Sequence, residues 1–192
     1  MHERALSVVH VTEPVDGGVA RCALYLVGDQ AARGWRVAVL APPDREFAAA
    51  VERAGARALP WRLAARQAAA RRTGFPGLSL LRAARAVADA AAATRADVVH
   101  LHSSQAGLAG RLALRGRRPT VFLPNAWSFY AVDGIARSAV VRWERVAARW
   151  ASAIVCASEG ERRDGIRAGI RANWRMIPNG IDLDAFPPAP DG

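Results

Sequence analysis

Several short runs in this 192-residue chain carry residue types able to do chemistry. His100 and His102 stand two apart and are followed by Ser103-Ser104-Gln105. Residues two apart on a strand share a face, so both rings point the same way. A zinc pair would need a third ligand, and none stands nearby in sequence. A satisfied, partly buried ring is the reading for His100, and a ligand or cap role for His102. The run Thr12-Glu13-Pro14-Val15-Asp16-Gly17-Gly18 leads into a helical stretch. Paired glycines let the backbone approach a ligand closely, and a helix N-terminus offers N–H groups to a phosphate. The run matches neither G-x-G-x-x-G nor G-x-x-x-x-G-K-[ST], and a tight turn alone explains it equally well. In Leu123-Pro124-Asn125-Ala126-Trp127-Ser128-Phe129-Tyr130, rings beside an amide and hydroxyls suit a sugar face. Inward packing of Trp127 and Phe129 is the competing reading. Ser158 and Glu161 have capping-box spacing.

These runs sit between short apolar stretches and longer alanine-rich helical ones. The pattern predicts strands over 5–11, 36–41, 57–59, 97–101, 120–123, 153–156 and 174–177. Helices are predicted over 18–33, 44–54, 79–94, 105–115, 138–150 and 158–167. This alternation implies an α/β fold, a Rossmann-like three-layer α/β/α domain with six or seven mainly parallel strands. Such sheets bind ligands at the carboxyl ends of their strands. One domain over 1–177 is expected, with 178–192, ending in a proline-rich stretch, read as the start of a linker.

The chain is 52% hydrophobic and 23% charged, as in soluble globular proteins. No apolar run reaches the roughly 18–20 residues that span a bilayer, and the N-terminus lacks a signal peptide's cleavage site, so a cytoplasmic location is expected. All 27 basic residues are arginine; against 17 acids they give a net charge of +10. That excess favours anionic partners: phosphate-bearing ligands first, then anionic lipid, then nucleic acid. No nucleic-acid recognition motif is present, and no such partner is expected. The segment 60–72, with Arg62, Arg66, Arg71 and Arg72, is basic and partly amphipathic. It is the candidate for peripheral contact with the inner face of an anionic membrane, against the plainer reading of a solvated loop. Cys22 and Cys156 lie in apolar stretches and outside any metal-ligand spacing, which predicts two buried, reduced thiols.

In chain order, Pro14–Gly18 and its helix, Gly34-Trp35-Arg36-Val37, Asp97–Ser104, Trp127-Ser128-Phe129, Glu144-Arg145, Cys156–Arg162 and Ile177–Asp182 form an ordered set. The set resembles the N-terminal domain of retaining glycosyltransferases of family 4, one half of a GT-B fold. The resemblance implies a nucleotide-sugar donor held mainly by a C-terminal domain and a glycan or lipid-linked acceptor held by this one. That C-terminal donor domain, with the family's paired-glutamate motif, is expected to be missing from this chain. By resemblance, Gly17 and Gly18 approach the donor diphosphate, while His102 and Ser103 border the acceptor. Asn125, Trp127, Ser158 and Glu159 complete the candidate acceptor and sugar contacts. Asn125 stands where family members commonly carry a histidine. An amide keeps a polar contact but removes proton transfer near neutral pH, so no catalytic residue is assigned. No cofactor and no metal are expected, and cell-envelope polysaccharide synthesis is the expected setting. Two other readings stay open: a different GT-B or Rossmann sugar-nucleotide enzyme, such as an epimerase, and a stand-alone binding module for anionic ligands.

Overall fold

The computed structural model describes residues 5–62 and 76–180. The candidate membrane-contact segment 60–72, read also as a solvated loop, is thus outside the described residues from Leu63 to Arg72, as is the chain from Ile181 onward. The strands are β1 (Ser7–Thr12), β2 (Arg36–Ala41), β3 (Arg57–Pro60), β4 (Val98–His102), β5 (Thr120–Leu123), β6 (Ala153–Cys156) and β7 (Trp174–Met176). The helices are α1 (Gly17–Ala32), α2 (Arg45–Arg53), α3 (Pro76–Ala93), α4 (Ser103–Leu114), α5 (Gly134–Ala147) and α6 (Glu159–Arg167).

The seven strands form one sheet in the order β3-β2-β1-β4-β5-β6-β7. Every neighbouring pair is parallel. The expected doubly wound α/β fold is therefore the fold observed. The elements differ from the sequence pattern mainly at helix starts. α4 begins at Ser103, straight off the strand, and α5 begins at Gly134 and closes in a 3-10 turn, Ala148–Trp150.

Alternation along the strands sorts the core into two sets. Val9, Val11, Leu40, Val99, Leu101, Phe122 and Ile154 belong with Ala83, Val87 and Ala91 of α3 and Ala106 and Ala109 of α4. Val37, Val39 and Ala41 pack with Ala20 and Val27 of α1 and Phe47 and Val51 of α2. Small residues let α4 lie close to the sheet. A Cβ at Gly107 would run into the Phe122 ring, and one at Gly110 into Leu101. Among the described residues no helix is long and apolar enough to cross a membrane.

Candidate functional site

β1 and β4 are neighbours in the sheet, but the chain leaves them toward opposite flanks. A crevice opens at the carboxyl ends of such a pair, where doubly wound sheets bind ligands. Thr12 pairs with His102, and His102 pairs with Leu123. The register therefore sets the turn into Gly17-Gly18, the start of α4 at Ser103, and Asn125-Ala126 side by side along one edge. Gly17, Gly18, Ser103 and Asn125 are four of the residues the sequence singled out, brought together from three distant stretches.

Backbone at this edge is left unsatisfied or strained. Four of the described helices follow a strand through a short turn. Asp44 caps α2 by accepting from the Phe47 N–H, and Ser158 caps α6 by accepting from that of Glu161. Asp16 and His102, at the starts of α1 and α4, make no such bond. Both open N-termini meet at the crevice, where the free N–H groups and the helix dipole attract an anion. Five described non-glycine residues have positive φ. Arg95 and Arg115 end α3 and α4, an ordinary place for the left-handed conformation. Ser103 (74°), Asn125 (54°) and Ala126 (113°) follow directly on β4 and β5. Strain of this kind persists where surrounding structure holds it, and it clusters at ligand sites.

The two glycines play different parts. Gly17 takes φ +67°, a conformation that favours glycine. Gly18 has an ordinary φ, and a Cβ there would meet nothing within 4 Å. The domain by itself gives no steric reason for glycine at 18.

Beneath the edge lies a cluster the sequence showed only in part. His10 on β1 pairs in register with His100 on β4, so a third ring joins the two already noted. His10 Nδ1 and His102 Nε2 are 2.9 Å apart, and His10 Nε2 lies 2.8 Å from Gln30 Oε1 on α1. Burial pushes the His10 pKa down to about 4, with the Gln30 bond opposing. Burial, then the neighbouring rings, hold His100 and His102 well below the usual imidazole range. His102 is wholly buried. This corrects its expected place at the border of an acceptor site: its ring packs against His10 and His100 on one face of the sheet, and Ser103, the next residue, is half-buried. The Ser103 Oγ is buried without a hydrogen-bond partner.

Trp127 is corrected as well. It is 2% exposed, stacked on Phe129 at 5.5 Å, and its Nε1–H donates to the Glu161 carbonyl at 2.7 Å. Gly165 makes room for it, since a Cβ there would lie 2.7 Å from its ring. The inward packing weighed for both aromatics is the one observed.

At the end of β6, Ser158 caps α6 as the predicted capping box requires, with the Glu161 N–H donating to Ser158 Oγ at 3.1 Å, while the return bond of the Glu161 carboxylate goes to Ala157 and not to the Ser158 N–H. Glu161 does more than its spacing announced. Its carboxylate accepts from the Ala157 N–H at 2.9 Å and from that of the strained Ala126 at 3.0 Å. Glu159 is tied to Arg162 at 2.6 Å, which holds its carboxyl below the usual range. Behind the site, the buried Arg111 donates to Glu144 at 2.8 Å, and Ser128 Oγ donates to the other Glu144 oxygen at 2.9 Å. Arg111 also lies 3.9 Å over the Phe122 ring. Of the cysteines, Cys156 is buried and its thiol pushed up to about 12, mainly by burial. Cys22 departs from expectation in being only half-buried; its Sγ lies 3.4 Å from Asn179 Oδ1. A cavity of about 490 Å³ between α2 and the carboxyl ends of β2 and β3 lies to one side of the β1–β4 crevice. We place the site by topology and backbone chemistry instead, because the lining of that cavity is mostly apolar and brings in none of these groups.

An all-parallel doubly wound sheet with open helix N-termini at its switch point defines a Rossmann-like α/β domain. The chain belongs to glycosyltransferase family 4, whose family model, described as Glycosyltransferase Family 4, matches residues 16–185. It is similar to the Escherichia coli UDP-Gal:alpha-D-GlcNAc-diphosphoundecaprenol alpha-1,3-galactosyltransferase, 31% identical over 98 residues, covering 48% of this chain and 25% of that protein. Its fold is similar to that of Anabaena HepE (Alr3699), solved in complex with UDP-glucose: TM-score 0.73, 20% identity, covering 96% of this chain and 47% of that one. It is also similar to a Rickettsia africae glycosyltransferase: TM-score 0.73, 14% identity, 96% of this chain and 45% of that one. The chain thus spans a quarter of the length of that curated relative and about half of each solved structure. The domain is one Rossmann-like half of a GT-B fold.

Proposed function

We propose that this domain, over 1–177, is the acceptor-side half of a retaining glycosyltransferase that moves a sugar from a nucleotide-sugar donor to a glycan or lipid-linked acceptor. A C-terminal donor domain outside this chain completes the cleft, and 178–192 lead toward it. The observation that carries the reading is the switch-point edge. Two uncapped helix N-termini and three strained residues meet there, in a family of sugar transferases. Gly17 and Gly18 are the approach to the donor diphosphate, a fitting target for free N–H groups. Ser103 and Asn125 face the acceptor and the transferred sugar, with Ser158 and Glu159 at the far end of the same edge. The transfer itself needs no cofactor on this reading, and no nucleic acid takes part.

A lipid-linked acceptor fits the net charge of +10. Peripheral contact with the cytoplasmic face of the membrane is part of the proposal. α5 supports it, with Ile135 91% exposed at its start and Arg137, Arg142 and Arg145 exposed along it. The test uses the longer protein that carries this domain, offered UDP-sugars and a diphosphate-lipid acceptor, beside the 192-residue chain alone. Sugar transfer by the longer protein and none by the chain is expected, because alignment of donor and acceptor carries much of the rate. Transfer at an ordinary enzymatic rate by the chain alone, or no nucleotide-sugar binding by the longer protein, overturns the proposal. Sedimentation with anionic but not neutral vesicles tests the membrane contact.

A further inference from the structure

We propose that His10, His100 and His102 form a binding site for one zinc-class divalent cation, held between β1 and β4 beneath the switch-point edge. One ring nitrogen from each histidine lies within 4.8 Å of those of the other two. The nearest pair, His10 Nδ1 and His102 Nε2, are 2.9 Å apart. A tetrahedral zinc with Zn–N of about 2.0–2.1 Å spaces its nitrogens about 3.3 Å apart. The observed separations bracket that value; the rings lie against one another with interplanar angles of 21–39°, so they must rotate about their side-chain bonds to aim three lone pairs at one point.

Two further observations point to an ion. His100 Nε2 is buried without a hydrogen-bond partner, which is costly unless something occupies the space beside it. His10 is oriented as metal-binding histidines are: Nε2–H donates to the Gln30 Oε1 at 2.8 Å, which turns the Nδ1 lone pair inward. With His10 Nδ1 as acceptor, the proton of that 2.9 Å contact sits on His102 Nε2. Metal binding moves it to the unpartnered His102 Nδ1, a change of tautomer with no net proton release. His100 is the one ring of the three with partial exposure, and entry is from its side. An all-nitrogen set suits zinc, nickel or copper and disfavours magnesium and calcium. The fourth position falls to water.

Such an ion would clamp β1 to β4 and, through Gln30, the helix whose open N-terminus faces the crevice. The role is structural and independent of the transferase reading. The test is titration of the chelator-treated 192-residue chain with Zn²⁺ against a competing dye, and with Co²⁺ for its visible spectrum. One Zn²⁺ per chain at micromolar affinity or tighter is expected, with the intense Co²⁺ bands of a tetrahedral site. His100→Gln removes a ligand that makes no hydrogen bond, and Gln30→Ala removes only the orienting carbonyl. Each should weaken affinity by about ten-fold or more. No uptake at micromolar Zn²⁺, or undiminished uptake by folded His100→Gln, overturns the site. Should His100→Gln unfold, an unchanged affinity in Gln30→Ala together with an octahedral Co²⁺ spectrum overturns it instead.

Discussion

The carboxyl ends of β4, β5 and β6 lie along one edge of the sheet, yet their backbones are satisfied in opposite ways. After β6, Ser158 caps α6, the Glu161 carboxylate accepts from the Ala157 and Ala126 N–H groups, and the Glu161 carbonyl accepts from Trp127. After β4, the helix starts uncapped on a serine with φ 74°, and its Oγ has no partner. After β5, Asn125 and Ala126 are both held at positive φ. The two regions are coupled, because Glu161 is what holds Ala126 in place. Sequences agree with their folds at every level except where function imposes a cost. The braced end of β6 is the part that agrees; the ends of β1, β4 and β5 are the part that does not.

If that contrast is right, damage behind or beside the site costs stability, and damage at the crevice costs function alone. The largest loss is expected for Glu144→Ala. It strands the wholly buried Arg111 guanidinium and frees Ser128. Removing one partner of a buried pair costs about 3–5 kcal/mol, enough to bring the chain near unfolding. Urea unfolding measures this, and a loss under about 1 kcal/mol would show that the pair is not sealed from water. Glu161→Ala comes next. It leaves two backbone N–H groups without their acceptor, at about 1–3 kcal/mol in all. The brace makes a sharper claim than the total does. Hydrogen exchange at the Ala126 amide should quicken more than at β6, and equal change at both would cut the proposed link to the strained turn. Ser158→Ala removes only the cap bond, for about 1 kcal/mol.

The braced end was the more legible half in sequence, because its logic is local. A capping box needs two residues three apart, and Ser158 and Glu161 announce it. The sheet was legible for the same reason: apolar runs separated by helical periods leave few topologies for a parallel sheet. At the crevice, residue type marked Gly17 and Gly18, and resemblance marked Ser103 and Asn125, but neither showed the backbone strain. Nothing in the residue types of Ser103 or Ala126 signals positive φ. His10 lies 92 positions from His102, and only the β1–β4 pairing makes them neighbours. Trp127 read as well outward as inward until the space left by Gly165 was known. Contacts made across the sheet, not along the chain, decide these cases.

The smallest stability effect belongs to Gly18→Val, and it tests the contrast most directly. Gly18 has an ordinary φ, and a new Cβ meets nothing within 4 Å, so the fold should hardly notice it. Valine forms helix slightly better than glycine, so unfolding should shift by less than about 0.5 kcal/mol, in either direction. Gly17→Val serves as the foil: at φ +67° a side chain is strained, at a cost of about 1–2 kcal/mol. In the longer protein that carries this domain, the Gly18 variant should nonetheless use its donor poorly. The valine side chain would stand between a diphosphate and the free N–H groups of the first turn of α1. Each hydrogen bond to a charged group is worth about 1.5–3 kcal/mol, so the loss of one lowers turnover by roughly 10- to 150-fold. Thermal unfolding and donor turnover must be measured on the same preparation. Unchanged turnover per folded molecule would reduce the glycines to a turn and leave the open N-terminus of α1 without a ligand. Lost turnover with an intact fold would place the donor diphosphate at the end of β1.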